Sequence, residues 1–175
     1  MKNKWIDFLV KLLSLGFLIT WMLLIFWFSA QKGSDSSDVS GHLSYKIVNA
    51  VNASIHLEMT MDEKEKLARK MEHPLRKAAH MTEYAILAWA GLVVCIAFEK
   101  KDFFPVKNSI PTFGYSWTIV VFYSVTDEIH QFFIPGRNGN VLDVCIDAAG
   151  GFLGLLVVFG IANWYNERKV TSDIV

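Results

Sequence analysis

Leu12 to Ala30 is an almost unbroken apolar run of about 19 residues, long enough to cross a hydrocarbon core about 30 Å thick. Ala78 to Phe98, Tyr115 to Ile134 and Val141 to Ala162 are of similar length, and each carries ionisable residues near one end. Lipid leaves no water for backbone N–H and C=O groups, so a chain built from such runs has few folds open to it other than helices. Hydrophobic residues make up 53% of the 175 and charged residues only 19%, with a mean hydropathy of +0.31, too apolar for an ordinary soluble domain. The expected fold is an all-α integral membrane protein forming one domain over residues 1–175. Its four transmembrane helices are placed at about 10–30, 76–98, 113–134 and 141–163, with a helical first extracytoplasmic loop at 31–75.

The first run is read as an uncleaved helix. Lys2 and Lys4 precede it as in a signal peptide, but the stretch is long and the exit Trp27-Phe28-Ser29-Ala30 lacks a small residue at −3. Lys2 and Lys4, with Lys100, Lys101 and Lys107 in the second loop, favour cytoplasmic N- and C-termini in the plasma membrane. The first loop opposes this with eight Lys/Arg between Gln31 and Lys77, interleaved with seven acids. Cys95 and Cys145 fall at different depths of neighbouring helices, so no disulfide is expected.

Within the first loop, Val39, Leu43, Ile47, Val51 and Ile55 recur every four residues behind Ser36, Ser37 and Asp38 as candidate caps. That spacing predicts an amphipathic helix lying on the membrane or on the bundle. Thr60-Met61-Asp62-Glu63 reads as a capping box opening a second short helix that ends near Glu72, before Pro74.

The ionisable residues of the apolar runs converge in sequence logic. Arg76, His80 and Glu83 fall at i, i+4 and i+7 near the start of the second span; Ser124, Asp127, Glu128, His130 and Gln131 close the third; Asp143 and Asp147 open the fourth. In alternating helices these three ends share one side of the bilayer, with the turn Pro135 to Asn140 between them. Five acids left charged and facing lipid would cost about 12–17 kcal/mol on insertion scales, so a polar pocket is expected. Gly150 and Gly154 continue the Asp143/Asp147 stripe as a small-xxx-small pattern that admits another helix closely.

Those residues carry a resemblance. Phe28-Ser29-Ala30-Gln31, Arg76-Lys77-Ala78-Ala79-His80-Met81-Thr82-Glu83-Tyr84, Asp127-Glu128-Ile129-His130-Gln131 and Pro135-Gly136-Arg137 followed by Asp143 and a glycine-rich helix occur in the order seen in the VanZ-like membrane protein family. One departure is Asp147, where relatives tend to carry Asn. The resemblance implies a bacterial plasma-membrane protein acting on the cell envelope, with teicoplanin-type glycopeptide resistance as the associated phenotype. It supplies no reaction.

Three classes of function follow from the residues. As a membrane-embedded acid/base hydrolase or transferase, the protein would use His80, Glu83, Asp127, Glu128 and Asp143 for proton transfer, with Arg76, Gln131 and Arg137 gripping an anionic headgroup or phosphate and Ser29 and Asp147 in support. As a non-catalytic binder, the same pocket would hold a membrane lipid, a lipid-linked wall component or the glycopeptide. As a structural helix-bundle partner, the cluster would only staple helices, at roughly 0.6 kcal/mol per contact. Glu83, Asp127, Glu128 and Asp143 with His80 also have the hard-ligand chemistry of a divalent-cation site, although no spacing is diagnostic. No nucleic-acid partner is expected.

Overall fold

The computed structural model describes residues 4–99 and 110–172, apart from the side chains of Asp35 and residues 169–172. Among the described residues the chain is all-helical: α1 (Lys4–Ser29), α2 (Gly33–Ile55), α3 (Met61–Glu99), α4 (Ile110–Gln131) and α5 (Val141–Ser172). The second-loop lysines Lys100, Lys101 and Lys107 lie outside the described residues. α3 is the hub, packing against each of the other four helices.

α1, α3 and α5 are each long and apolar enough to cross a membrane; α4, of 22 residues, is not among these three. The polarity of α4 is turned inward: Thr112, Ser116, Ser124, Asp127, Glu128 and Gln131 are all buried. On α1 the buried residues Ser14, Leu18, Ile25 and Ser29 form one stripe, while Leu13, Phe17, Leu23 and Trp27 are exposed around it. Outward apolar and inward small or polar side chains are what a helix bundle in lipid requires. The core joins Leu18 and Ile25 to Tyr84, Leu87, Ala88, Val120 and Leu155.

The glycine stripe works as its spacing predicts. A Cβ on Gly150 would stand 2.5 Å from the carbonyl oxygen of Met81, and one on Gly154 would stand 2.8 Å from the Cβ of Ala85. α3 and α5 therefore touch backbone to backbone. Side-chain donors on backbone carbonyls lash the helices further: Trp89 Nε1 donates to Gly154 O (2.8 Å), Trp117 Nε1 to Ala148 O (3.0 Å) and Trp21 Nε1 to Glu83 O (2.9 Å). The Tyr123 hydroxyl donates to Met22 O.

Two sequence expectations for the first loop need correction. The helix opening at the Thr60/Glu63 capping box, where Thr60 N–H donates to Glu63 Oε2 (2.8 Å), does not stop before Pro74 but runs on to Glu99. A proline inside a helix removes one backbone bond and crowds the preceding turn. Here Glu72 and Arg76 straddle it in an ion pair of 2.8 Å, and Ser37 and Ser40 of α2 hold the same guanidinium, so both sides of Pro74 are fastened to a neighbouring helix. Second, Ser36, Ser37 and Asp38 are not caps, because α2 begins at Gly33 behind Lys32, with no side-chain cap. The Gly33 N–H donates instead to Pro135 O (3.2 Å), which satisfies one of the orphan amides of the helix start.

α2 pairs with the first half of α3. The stripe it buries is Ser40, Ser44 and Val48, one residue round from the apolar stripe of the sequence; Val39, Leu43, Val51 and Ile55 stay exposed. α4, at the place of the expected third span, ends at Gln131 rather than Ile134, and α5 continues past 163 to Ser172.

Candidate functional site

The start of the membrane part of α3, the α1–α2 junction and the α4–α5 turn meet at one end of the bundle. The junction and the turn are in backbone contact: a Cβ on Gly33 would lie 2.0 Å from Gly136 O, so only glycine fits there, and Gly136 itself has φ +76. Arg137 then reaches across. Its Nε donates to Gln31 O (2.9 Å) and its Nη2 to Phe28 O (3.1 Å), capping the carbonyl end of α1. Burial pulls this guanidinium below its ordinary value while the Asp127 carboxylate acts the other way, an electrostatic setting that an added anion would relieve.

Arg76 Nη2 donates to Ser37 Oγ (2.8 Å), Ser40 Oγ (3.0 Å) and Glu72 Oε1 (2.8 Å), while its buried Nε has no hydrogen-bond partner. Lys77 forms an ion pair with Asp143 of α5. His80 Nδ1 is 3.5 Å from Glu83 Oε2, within ion-pair range of a protonated ring but without a hydrogen bond.

Two cavities open between these groups. The first, about 260 Å³, is polar: its walls include His73, Arg76, Lys77, His80, Arg137 and Asp143, together with Gln131 and Asn138. The second, about 200 Å³, has Arg76, His80, Glu83 and Arg137 on one side and Phe28, Val39, Leu43, Leu75 and Ala79 on the other. Arg76, His80 and Arg137 belong to both.

Six of the ten expected site residues thus line the hollow that these two cavities make together: Arg76, His80 and Arg137 in both, Gln131 and Asp143 in the first and Glu83 in the second. The other four do not. Asp127 is 3% exposed behind Gln131, its Oδ2 accepting from Gln131 Nε2 (2.9 Å) and the Tyr84 hydroxyl (3.3 Å), its Oδ1 unpartnered. Asp147 is 2% exposed and accepts from Ser124 Oγ (3.0 Å). Glu128 accepts from the Asn140 N–H (2.8 Å) at the start of α5 and lines a separate, mainly apolar hollow with Phe132, Phe133 and Val141. Ser29 is buried in α1 with its hydroxyl unpartnered. The reason for the split is angular: successive residues of a helix point about 100° apart, so Asp127 and Glu128 cannot both enter one hollow. Among the described residues no three His, Cys, Asp or Glu side chains gather as a metal-ligand set.

The VanZ/LLP1 family model matches residues 14–163. The chain belongs to the VanZ-like family. The matched span takes in every residue of the hollow and every wall around it. No curated protein and no solved structure matches this VanZ-like chain.

Sequence reasoning missed several partners in the VanZ-like hollow. Lys77 pairs with Asp143, and Glu72, Ser37 and Ser40 hold Arg76; of these four only Ser37 stood out in the sequence, as a candidate cap. Lys77 and Asp143 are 66 positions apart, so no local spacing links them. For Arg76 a signal existed: Glu72 lies four residues before it, a spacing at which helical side chains meet, and the supposed helix break at Pro74 concealed it.

Proposed function

We propose that this VanZ-like protein lies in the bacterial plasma membrane with both termini cytoplasmic, and that its hollow holds an envelope anion: the phosphate-bearing headgroup of a lipid or of a lipid-linked wall component. α4 crosses with the other three long helices in this reading. Its support is the depth of its contacts, since Tyr123 meets Met22 of α1, Ser124 meets Asp147 of α5 and Ser116 donates to Ala88 O of α3 (2.5 Å).

The observation that carries the anion reading is the wall of the larger cavity. Arg76, Lys77 and Arg137 bring three basic side chains and His73 and His80 two imidazole rings, against a single carboxylate, Asp143, already paired with Lys77. The buried, unpartnered Arg76 Nε needs an acceptor, and a phosphate oxygen is a strong one. Asp127, Asp147 and Glu128 act from behind: Asp127 orients Gln131 toward the hollow, and Asp147 and Glu128 hold α4 to α5 and its start.

Native mass spectrometry of the full chain purified from its own membrane tests this. Wild type retains anionic phospholipid, and Arg76→Gln retains several-fold less while eluting as the same folded species. Equal retention by both overturns the anion reading. Production of the protein in a glycopeptide-sensitive host is expected to raise tolerance to teicoplanin, and Arg76→Gln to remove the gain. His80 beside Glu83, on the shared wall, also favours an acid/base reading of the same site. In that case His80→Ala leaves lipid retention intact but stops release of a cleaved headgroup from added phospholipid.

A further inference from the structure

The two cavities differ in chemistry, and three residues form the wall between them. To Arg76, His80 and Arg137 the first cavity adds His73, Lys77, Gln131, Asn138 and Asp143; the second adds the apolar Phe28, Val39, Leu43, Leu75 and Ala79, with Glu83, Ser36 and Ser40 at its polar margin. A free phosphate would use the first space and leave the second empty. A molecule with a charged end and a hydrocarbon end would use both.

Resting on the anion reading above, we infer that the occupant is an amphiphile that threads between α1, α2 and α3, its anionic head among Arg76, Lys77 and Arg137 and one acyl chain along Val39, Leu43, Leu75 and Ala79. Three further observations converge on this. Val39 is 67% and Leu43 47% exposed, although they lie on the side of α2 next to the stripe packed on α3, so an apolar lining is left without a protein partner at the place where a tail would lie. The dividing wall offers two buried polar atoms without hydrogen-bond partners, Arg76 Nε and His80 Nδ1, positioned where an amphiphile changes from polar to apolar. The chain is also embedded in a source of such molecules, since α1 presents Leu13, Phe17, Leu23 and Trp27 outward as a lipid-facing helix does. The geometry makes α2 a selectivity element: its serines fix Arg76 while its neighbouring apolar positions measure the tail.

The experiment compares two phospholipids with one headgroup, dioleoyl and dihexanoyl phosphatidylglycerol, added to the full delipidated chain and counted by native mass spectrometry. Wild type prefers the long chain by about tenfold or more, the order expected when about two further methylene groups are buried. Val39→Trp and Leu43→Trp, exposed positions whose change spares the core, bring the two lipids to near parity. Arg76→Gln weakens both alike. If the tryptophan variants keep the wild-type preference, the tail slot is overturned and the head site stands. If neither lipid binds wild type better than Arg76→Gln, the anion reading falls and the tail slot with it.

Discussion

Single side chains in this protein carry two duties that the sequence alone does not separate. Arg137 was expected to grip a ligand, and it does line the hollow, but two of its N–H groups close the end of α1. Lysine cannot reproduce that fork. Arg137→Lys is therefore expected to lower the thermal midpoint in detergent by an amount matching about 1–3 kcal/mol, the range for leaving buried carbonyls unmet, as well as lipid retention. Asp147 tells the opposite story: its one described partner is Ser124, and both are buried between α4 and α5. A double-mutant cycle of Ser124→Ala and Asp147→Asn, read by thermal denaturation, should give a coupling of about 0.6–1.7 kcal/mol, while lipid selectivity stays unchanged. That Asp127, Glu128 and Asp147 turn inward was legible from the insertion penalty. Their grouping was not, because Asp127 and Glu128 are sequence neighbours that point to different sides of α4, and Lys77 finds Asp143 only once α3 and α5 are in contact.

At the level of helices, the strongest reading of the sequence was the pair Gly150 and Gly154, whose spacing alone foretold a close neighbour; the structure supplies Met81 and Ala85. Gly150→Leu is expected to part α3 from α5, with loss of most folded protein from the membrane fraction, since the obstructing atoms are backbone and cannot swing aside. The weakest reading was at Pro74. Local rules end a helix there, and the tertiary network of Glu72, Arg76, Ser37 and Ser40 carries it through. Relief of that local strain should show. Pro74→Ala is expected to raise the thermal midpoint, toward the roughly 3 kcal/mol that an interior proline forfeits, and Glu72→Gln to lower it. The α2 stripe of Val39, Leu43, Ile47, Val51 and Ile55, recurring every four residues, was expected to lie on the membrane or on the bundle; the serine side of α2, held by Arg76, packs on α3, and Val39, Leu43, Val51 and Ile55 stay exposed.

For the molecule as a whole, helical class and membrane habit were written in the apolar runs, and the family in its ordered motifs. Span number was harder, since α4 hides its polarity in the bundle core and mean hydropathy counts a residue without regard to the direction it faces. Topology is open to direct measurement. In a variant lacking Cys95 and Cys145, Lys46→Cys and Asn138→Cys are expected to react with a membrane-impermeant maleimide on intact cells, and Lys4→Cys only after permeabilisation. The reverse pattern would turn the hollow toward the cytoplasm. α3 adds one more consequence. A helix of 39 residues is about 58 Å long, roughly twice the thickness of the hydrocarbon layer, and Met61 to Leu75 makes up about 22 Å of it. Braced by α2, that surplus is a mast whose tip at His56 to Thr60 stands clear of the lipid heads in the orientation proposed above. In that orientation the tip is the part of the chain that a large envelope molecule would meet first, about 22 Å above the level of Arg76.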